Sequence, residues 1–391
     1  MVRKKLQENT LSTSERMDEE AFDVLVVGAG AAGLGVGVAL KHAGISNFQI
    51  LDRETIGASF EAWPRGMQLI TPSFPTNSIA MLDLNAIAIG TSPGYSLGLE
   101  HPSGRAYAAY LRSVAEYFEL PTRSQTEVYS VEDTEDGFEL DTSVGMLRAK
   151  HVVWATGEFQ FPSIPDFEGA ELGTHNSRVA CWSEIAKLGK KPIVIIGGYE
   201  SGIDAAVQLA KYRRESIVLG RESTWESQDS DPSRSLSPFT LQRLNEARES
   251  GFIELCGKTD VTQIRKNGKQ FQVLSAIGES WTSDHAPILA TGFRGGFQQI
   301  VERFAIRDDG YPVLNELDES TECANLFLAG PSVRHESLIF CFIYKYRQRF
   351  AIVANTIAQR LGLETEEFKK SYRQWGMFLD DLSCCGEQCV C

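Results

Sequence analysis

The chain of 391 residues lacks any uninterrupted apolar run of the roughly 20 residues that a bilayer-spanning helix needs. Positive charge is in deficit: 38 lysines and arginines face 52 acidic residues, giving a net charge of -14. Such a surface repels phosphate backbones and anionic lipid, so nucleic-acid and membrane partners are not expected. The first residues, MVRKKLQENTLSTSERMDEE, lack the apolar stretch of a secretory signal. They are expected to form a flexible arm over residues 1–20, with a cytoplasmic location as the consequence. G-x-S-x-G, H-E-x-x-H and a P-loop lysine are all missing, which removes the common hydrolase, zinc-protease and P-loop readings. The 42% hydrophobic content is ordinary for a globular protein and supports two or three domains.

Two short apolar stretches each run into glycines. FDVLVV (22–27) predicts a buried strand, GAGAAGLGVGVALKHAG a helix capped at Gly44, and FQILD (48–52) a second strand. Between the first strand and the helix stands Gly28-Ala29-Gly30-Ala31-Ala32-Gly33. In such a G-x-G-x-x-G turn the first glycine permits the bend, the second admits a pyrophosphate, and the third lets helix and strand touch. The helix N-terminus offers free N–H groups to the phosphates. Asp52, with Arg53 beside it, ends the next strand and suits a ribose. This constellation predicts a dinucleotide site.

A second unit repeats the arrangement. PIVIIGG precedes Gly197-Gly198-Tyr199-Glu200-Ser201-Gly202, a relaxed G-G-x-x-S-G form, followed by a helix and the strand SIVLGR. That strand ends at Arg221 and not at a carboxylate, which favours NADPH over NADH because a carboxylate repels the extra phosphate. Arg221 as a solvated strand end is the plainer alternative, and Arg213, Arg214 and Arg234 are the other phosphate candidates.

Two such units in one chain, with Ala155-Thr156-Gly157, Ala290-Thr291-Gly292 and the late Ala329-Gly330-Pro331, resemble the two-dinucleotide-binding-domain flavoproteins: thioredoxin reductases, bacillithiol-disulfide-reductase-like proteins and flavin-containing monooxygenases. The resemblance covers about residues 22 to 362. It implies an α/β fold of two Rossmann-like domains, the NAD(P)-binding domain inserted into a discontinuous FAD-binding domain. The boundaries expected are 21–160 and 291–365 for FAD, 161–290 for NAD(P)H with its connecting segments, and 366–391 for a cysteine-rich tail. It further implies that Thr156, Gly157, Gly330 and Pro331 join the first turn in holding FAD. Pro331 stands where many members carry aspartate. No cysteine pair follows the first glycine motif, and no C-x-x-C lies in the second unit. The monooxygenase pattern F-x-G-x-x-x-H is broken: Phe167-Glu168-Gly169 is present, but Gly173 takes the histidine position and His175 comes two residues late.

The end of the chain, SCCGEQCVC, places Cys384, Cys385, Cys389 and Cys391 within eight residues. A mobile redox relay through Cys384 and Cys385 is one reading. A soft-metal site of all four thiolates is a second, and a tail unconnected to catalysis a third. His335 and Arg334 are expected at the start of one long helix near the flavin, Cys341 inside that helix as core, and Trp63, Trp154 and Trp182 in clefts or core. The function expected is an FAD- and NAD(P)H-dependent oxidoreductase acting on a disulfide, thiol-linked or metal-bound acceptor. A monooxygenase and a metal-binding flavoprotein without turnover are the rivals, and a homodimer is left open.

Overall fold

Residues 24–27 and 193–196 are buried on both faces, the environment of parallel strands covered by helices. The computed structural model describes residues 20–77, 80–227, 229 and 233–384. Residues 1–19 of the expected arm, the tail cysteines Cys385, Cys389 and Cys391, and the side chain of Cys384 lie outside the described residues.

The first unit opens with β1 (Ala21–Val27), α1 (Ala31–His42) and β2 (Phe48–Leu51). Helix α1 ends as expected: Gly44 takes φ +85°, and the N–H groups of Gly44 and Ile45 return to the carbonyls of Lys41 and Leu40. The glycine- and proline-rich stretch that follows is ordered around two short helices, α2 (Ala58–Glu61) and α3 (Pro93–Leu97). Then come α4 (Gly104–Tyr117), capped by the Ser103 hydroxyl, and strands β3 (Thr122–Arg123), β4 (Val128–Thr134), β5 (Gly137–Thr142) and β6 (Gly145–Trp154). Strand β6 is parallel to β1 along its length and antiparallel to β5 over its first half.

The second unit contains β7 (Thr174–His175), α5 (Trp182–Ile185), β8 (Ile193–Ile196), α6 (Glu200–Lys211), β9 (Ser216–Leu219), α7 (Pro238–Arg248) and β10 (Ile253–Cys256). An antiparallel sheet of β11 (Val261–Asn267), β12 (Gln270–Ser275) and β13 (Ser280–Ser283) precedes β14 (Ile288–Leu289). The parallel sheet runs β10-β9-β8-β14-β7. Its pleat divides β8: Ile193 and Ile195 pack toward α6, while Val194 and Ile196 pack toward Val261, Ile264 and Val273.

The chain then returns. Strand β15 (Leu326–Leu328) pairs parallel with the second half of β6, completing a seven-stranded first sheet from both sides of the inserted unit. A hairpin of β16 (Arg334–His335) and β17 (Leu338–Ile339) leads into α8 (Ile343–Arg360) and α9 (Glu366–Gln374). Helix α8 packs across α1, where Gly35 leaves room for the Phe350 ring. Phe368, Tyr372, Met377 and Phe378 bury into the same core. Among the described residues no helix is long and apolar enough to cross a membrane.

The long helix expected from residue 338 therefore starts later, because residues 334–339 pair with one another. His335 is not at a helix start. Its Nε2 lies 2.5 Å from Asp318, which is wholly buried and also receives the Arg349 guanidinium at 2.9–3.2 Å. Burial alone raises the Asp318 carboxyl, but Arg349 and His335 outweigh it and hold the group below its ordinary value. Arg349 also donates to the carbonyls of Glu316 and Leu379, tying the segment after α9 to the core. Asp318→Asn is expected to cost about 3 kcal/mol at neutral pH by leaving Arg349 buried without its anion. Because the folded-state value is depressed, this contribution is present above the ordinary aspartate range and lost as pH falls through it. Urea unfolding from neutral to about pH 3 checks it: the gap between parent and variant should close in acid.

Candidate functional site

The first glycine turn is built by backbone contact. Gly28 has φ +110°, and a Cβ there would strike the Ala155 carbonyl; one on Gly33 would overlap the Gly28 carbonyl oxygen. Both must be glycine for the strand, the helix and the Ala155-Thr156-Gly157 turn to meet. Gly30 differs: its φ is -87°, and a Cβ there meets nothing within 4 Å. Gly30, Ala31 and Ala32 line a cavity of about 1000 Å³, and no side chain caps the N-terminus of α1. Free N–H groups therefore open on empty space, as a pyrophosphate requires. Asp52 lines the same cavity, accepting from the N–H groups of Ala29 at 2.7 Å and Glu54 at 2.8 Å. Burial raises its carboxyl against the lowering effect of those two bonds. Arg53, Thr156, Gly157 and Pro331 are also on the wall, and the Thr156 hydroxyl is buried without a partner. Gly330, at φ +111°, lies against Ala32.

The second turn repeats the contacts with different residues. A Cβ on Gly197 would overlap the Ala290 carbonyl, and one on Gly202 the Gly197 carbonyl. Gly197 and Gly202 thus match Gly28 and Gly33, and Tyr199 stands where Gly30 stands. Its hydroxyl donates to the Ser235 carbonyl at 2.9 Å. Gly198 matches Ala29 and faces the Trp225 indole; Gly220 and Gly257 also border that ring, so three glycines make room for one side chain. Glu200 is half-buried, and its carboxylate accepts from the Ser237 N–H and the Ser237 and Thr240 hydroxyls at the start of α7. Ser201 and Asp204 reach the large cavity. Arg221 is exposed at the end of β9. Arg214 is buried and spends its guanidinium on the carbonyls of Leu188, Gly189 and Lys191, so it is no phosphate ligand.

The cavity extends from Asp52 past the first turn to the second unit, where Ser177, Arg178, Ser201, Asp204 and Phe293 close it. Cys341, Phe342, Ile343 and Tyr346 form another wall at the uncapped start of α8. Cys341 is therefore not core within a helix; it precedes α8 and lines the site. Trp63 and Trp154 are on the wall, whereas Trp182 is buried in the second core. His175 is buried, with Nε2 3.0 Å from the Gly292 carbonyl and Nδ1 2.8 Å from the Ser177 hydroxyl. Burial lowers its pKa, so the ring is a neutral joint between the two strands' ends. Sequence reading missed Glu158, Tyr346, Arg178 and Asp204; of these only Glu158 carried a local signal, its place directly after the Ala155-Thr156-Gly157 turn.

The model of the pyridine nucleotide-disulphide oxidoreductases matches residues 25–330, most of the chain and both glycine turns. The chain belongs to this family. Among curated relatives, an uncharacterized CzcO-like oxidoreductase of Geobacillus kaustophilus is 32% identical over 207 residues, covering 52% of this chain and 56% of the relative. The chain spans about half the length of the first curated relatives it matches. The bacillithiol disulfide reductase of Staphylococcus aureus superposes with a TM-score of 0.68 at 20% identity, covering 87% of this chain and 99% of that one. A flavin-containing monooxygenase of Stenotrophomonas maltophilia does so with a TM-score of 0.70 at 17% identity, covering 88% and 99%. Reductases and monooxygenases thus share this fold.

The two kinds of glycine in the first turn separate by experiment. Gly33→Ala should destabilise the ligand-free protein by about 2–3 kcal/mol through backbone overlap. Gly30→Ala, with a compatible φ and free space, should stay within about 0.5 kcal/mol of the parent. Chemical denaturation of the two apo-variants gives both values.

Proposed function

We propose that this oxidoreductase binds FAD along the first glycine turn and a nicotinamide nucleotide at the start of α6, and reduces a disulfide, thiol-linked or metal-bound acceptor. The observation that carries this reading is the single cavity walled by the first turn on one side and by Ser201, Asp204 and Arg178 of the second unit on the other. The residues present fit FAD: Gly30 leaves the pyrophosphate its space, α1 supplies N–H donors, Asp52 has lone pairs left for a ribose, and Thr156 has an unspent hydroxyl. Bound there, FAD supplies a two-electron relay between nicotinamide and acceptor. The chain's part is to hold both groups in one water-poor cleft. Arg221, exposed and without a carboxylate in its place, favours NADPH over NADH. Gly197, Gly202 and Ser201 shape that second site, with Tyr199 replacing the glycine that the first turn uses; Gly198 and Glu200 support it from behind.

Purified protein should take up FAD and show the yellow flavin band, which NADPH bleaches without air faster than NADH does. Arg221→Ala should weaken NADPH binding about tenfold and leave NADH unaffected. A colourless protein that refuses added FAD under native conditions overturns the proposal.

In this reading Cys384 and Cys385 carry electrons outward to the acceptor. Combined Cys384→Ser and Cys385→Ser should then abolish disulfide turnover while NADPH still bleaches the flavin. Unchanged turnover with loss of Zn²⁺ or Cu(I) binding would assign the four tail thiols to metal capture instead. The monooxygenase reading is favoured by relatives of that kind in sequence and in fold, while His175, fixed on Gly292 and Ser177, has an architectural role. Oxygen consumption coupled to oxygenation of a nucleophilic substrate would decide for it.

A further inference from the structure

Three groups able to carry a proton converge on the cavity beside α8: the Glu158 carboxyl, the Tyr346 hydroxyl and the Cys341 thiol. Glu158 follows a turn held rigidly in place. The Gly157 carbonyl accepts from Gly296 N–H at 2.6 Å, and Trp154 donates to the Gly296 carbonyl at 3.0 Å. Among the described residues the Glu158 carboxyl has neither a hydrogen-bond donor nor an ion-pair partner; only the field of Arg334 acts on it. That guanidinium is itself spent on the carbonyls of Pro331 and Val333 and lies 4.1 Å over the Tyr311 ring. Tyr346 is only 6% exposed, and its hydroxyl likewise has no partner. Cys341 touches the Ser233 hydroxyl at 3.2 Å, and Lys345 is its nearest cation.

A half-buried carboxyl on a cavity wall without a protein partner loses solvation as an anion, which favours its protonated form. Burial indeed pushes Glu158 above the ordinary glutamate value, with Arg334 opposing, and pushes Cys341 and Tyr346 up as well. Burial thus favours the protonated form of all three groups, side by side on one cavity wall.

We infer that Glu158 is a catalytic acid of this site, giving a proton to an acceptor as that acceptor receives two electrons, with Tyr346 orienting the transfer. The inference rests on the flavoprotein reading above. For a quinone Q the balance is Q + hydride + H⁺ → QH₂: the nicotinamide nucleotide is the source of the hydride equivalent, Glu158 supplies the proton, and water re-protonates the carboxylate. A disulfide takes the same hydride and proton to give two thiols. Glu158 differs from a structural residue in that nothing among the described residues uses its carboxyl's hydrogen-bonding capacity, which leaves it for a bound molecule.

The holoprotein is assayed with NADPH against two acceptors: a soluble benzoquinone, which must take protons, and ferricyanide, which takes electrons alone. Glu158→Gln should lower the quinone-to-ferricyanide rate ratio about 100-fold and remove the alkaline limb of the quinone pH profile. Glu158→Asp, which keeps the acid, should restore the limb at a lower rate. An unchanged ratio overturns the inference. A second measurement needs no cofactor. Since the folded value is raised, the carboxyl costs stability as pH rises through and above the ordinary glutamate range. Ligand-free Glu158→Gln should melt above the parent at about pH 8 and level with it at about pH 4. Equal melting at both pH values refutes the protonated carboxyl. Failure of both proteins to reduce either acceptor tells against the flavoprotein reading, while the melting comparison still judges Glu158.

Discussion

Among the glycines described, an added Cβ would be most crowded at Gly33 and Gly202, and there the obstacle is backbone. Each unit presses the third glycine of its turn, Gly33 or Gly202, onto the carbonyl of the first, Gly28 or Gly197. A methyl group at any of these positions would part helix from strand. Among the described residues no side chain caps the start of α1 or of α6. The same constraint acts sideways. Gly28 rests on Ala155 and Gly197 on Ala290, so each glycine turn fixes the loop after its neighbouring strand. Strand β6 carries that order onward, holding β1 on one side and the returning β15 on the other. The cavity wall formed by Thr156, Gly157 and Pro331 follows from these contacts.

What was legible in the sequence was what repeats locally. Buried strands, the glycine spacing and the Gly44 cap all leave a mark within a few residues, whereas the insertion of one unit in the other was implied by the family resemblance. The second turn was harder. Adjacent Gly197 and Gly198 suggest that both serve a nucleotide, but the five-residue spacing to Gly202 puts Tyr199, not Gly198, at the place of Gly30. Gly198 is a glycine because of Trp225, a contact that arises only when the loop after β9 folds back. Apolar periodicity before Ile343 is compatible with helix, yet the pairing of Arg334 with Ile339 prevails, since it lets His335 reach Asp318. Arg214 stands two residues before a strand like any solvated cation, but three carbonyls more than twenty residues away claim it. In each case the deciding partner is distant in the chain.

Three carboxyls, one wholly buried and two half-buried, show how their partners decide the chemistry. Asp318 meets Arg349 and His335, and the paired charges overcome desolvation, so it is an anion that stabilises the fold. Glu200 meets neutral donors at the start of α7; desolvation prevails over them, but the group is occupied, and its place in the cavity wall does not free it. Among the described residues Glu158 has neither a hydrogen-bond donor nor an ion-pair partner, only the field of Arg334. Left unpaired, this half-buried group bears a desolvation cost with no return from the fold. Apolar side chains were available to the same wall, as Phe159, Phe342 and Ile343 demonstrate. A glutamate kept there, beside an equally unspent tyrosine, is accounted for by what it offers to a molecule in the cavity. That places the acid chemistry of the site on the Ala155-Thr156-Gly157 turn itself, the element that the first glycine contact holds still.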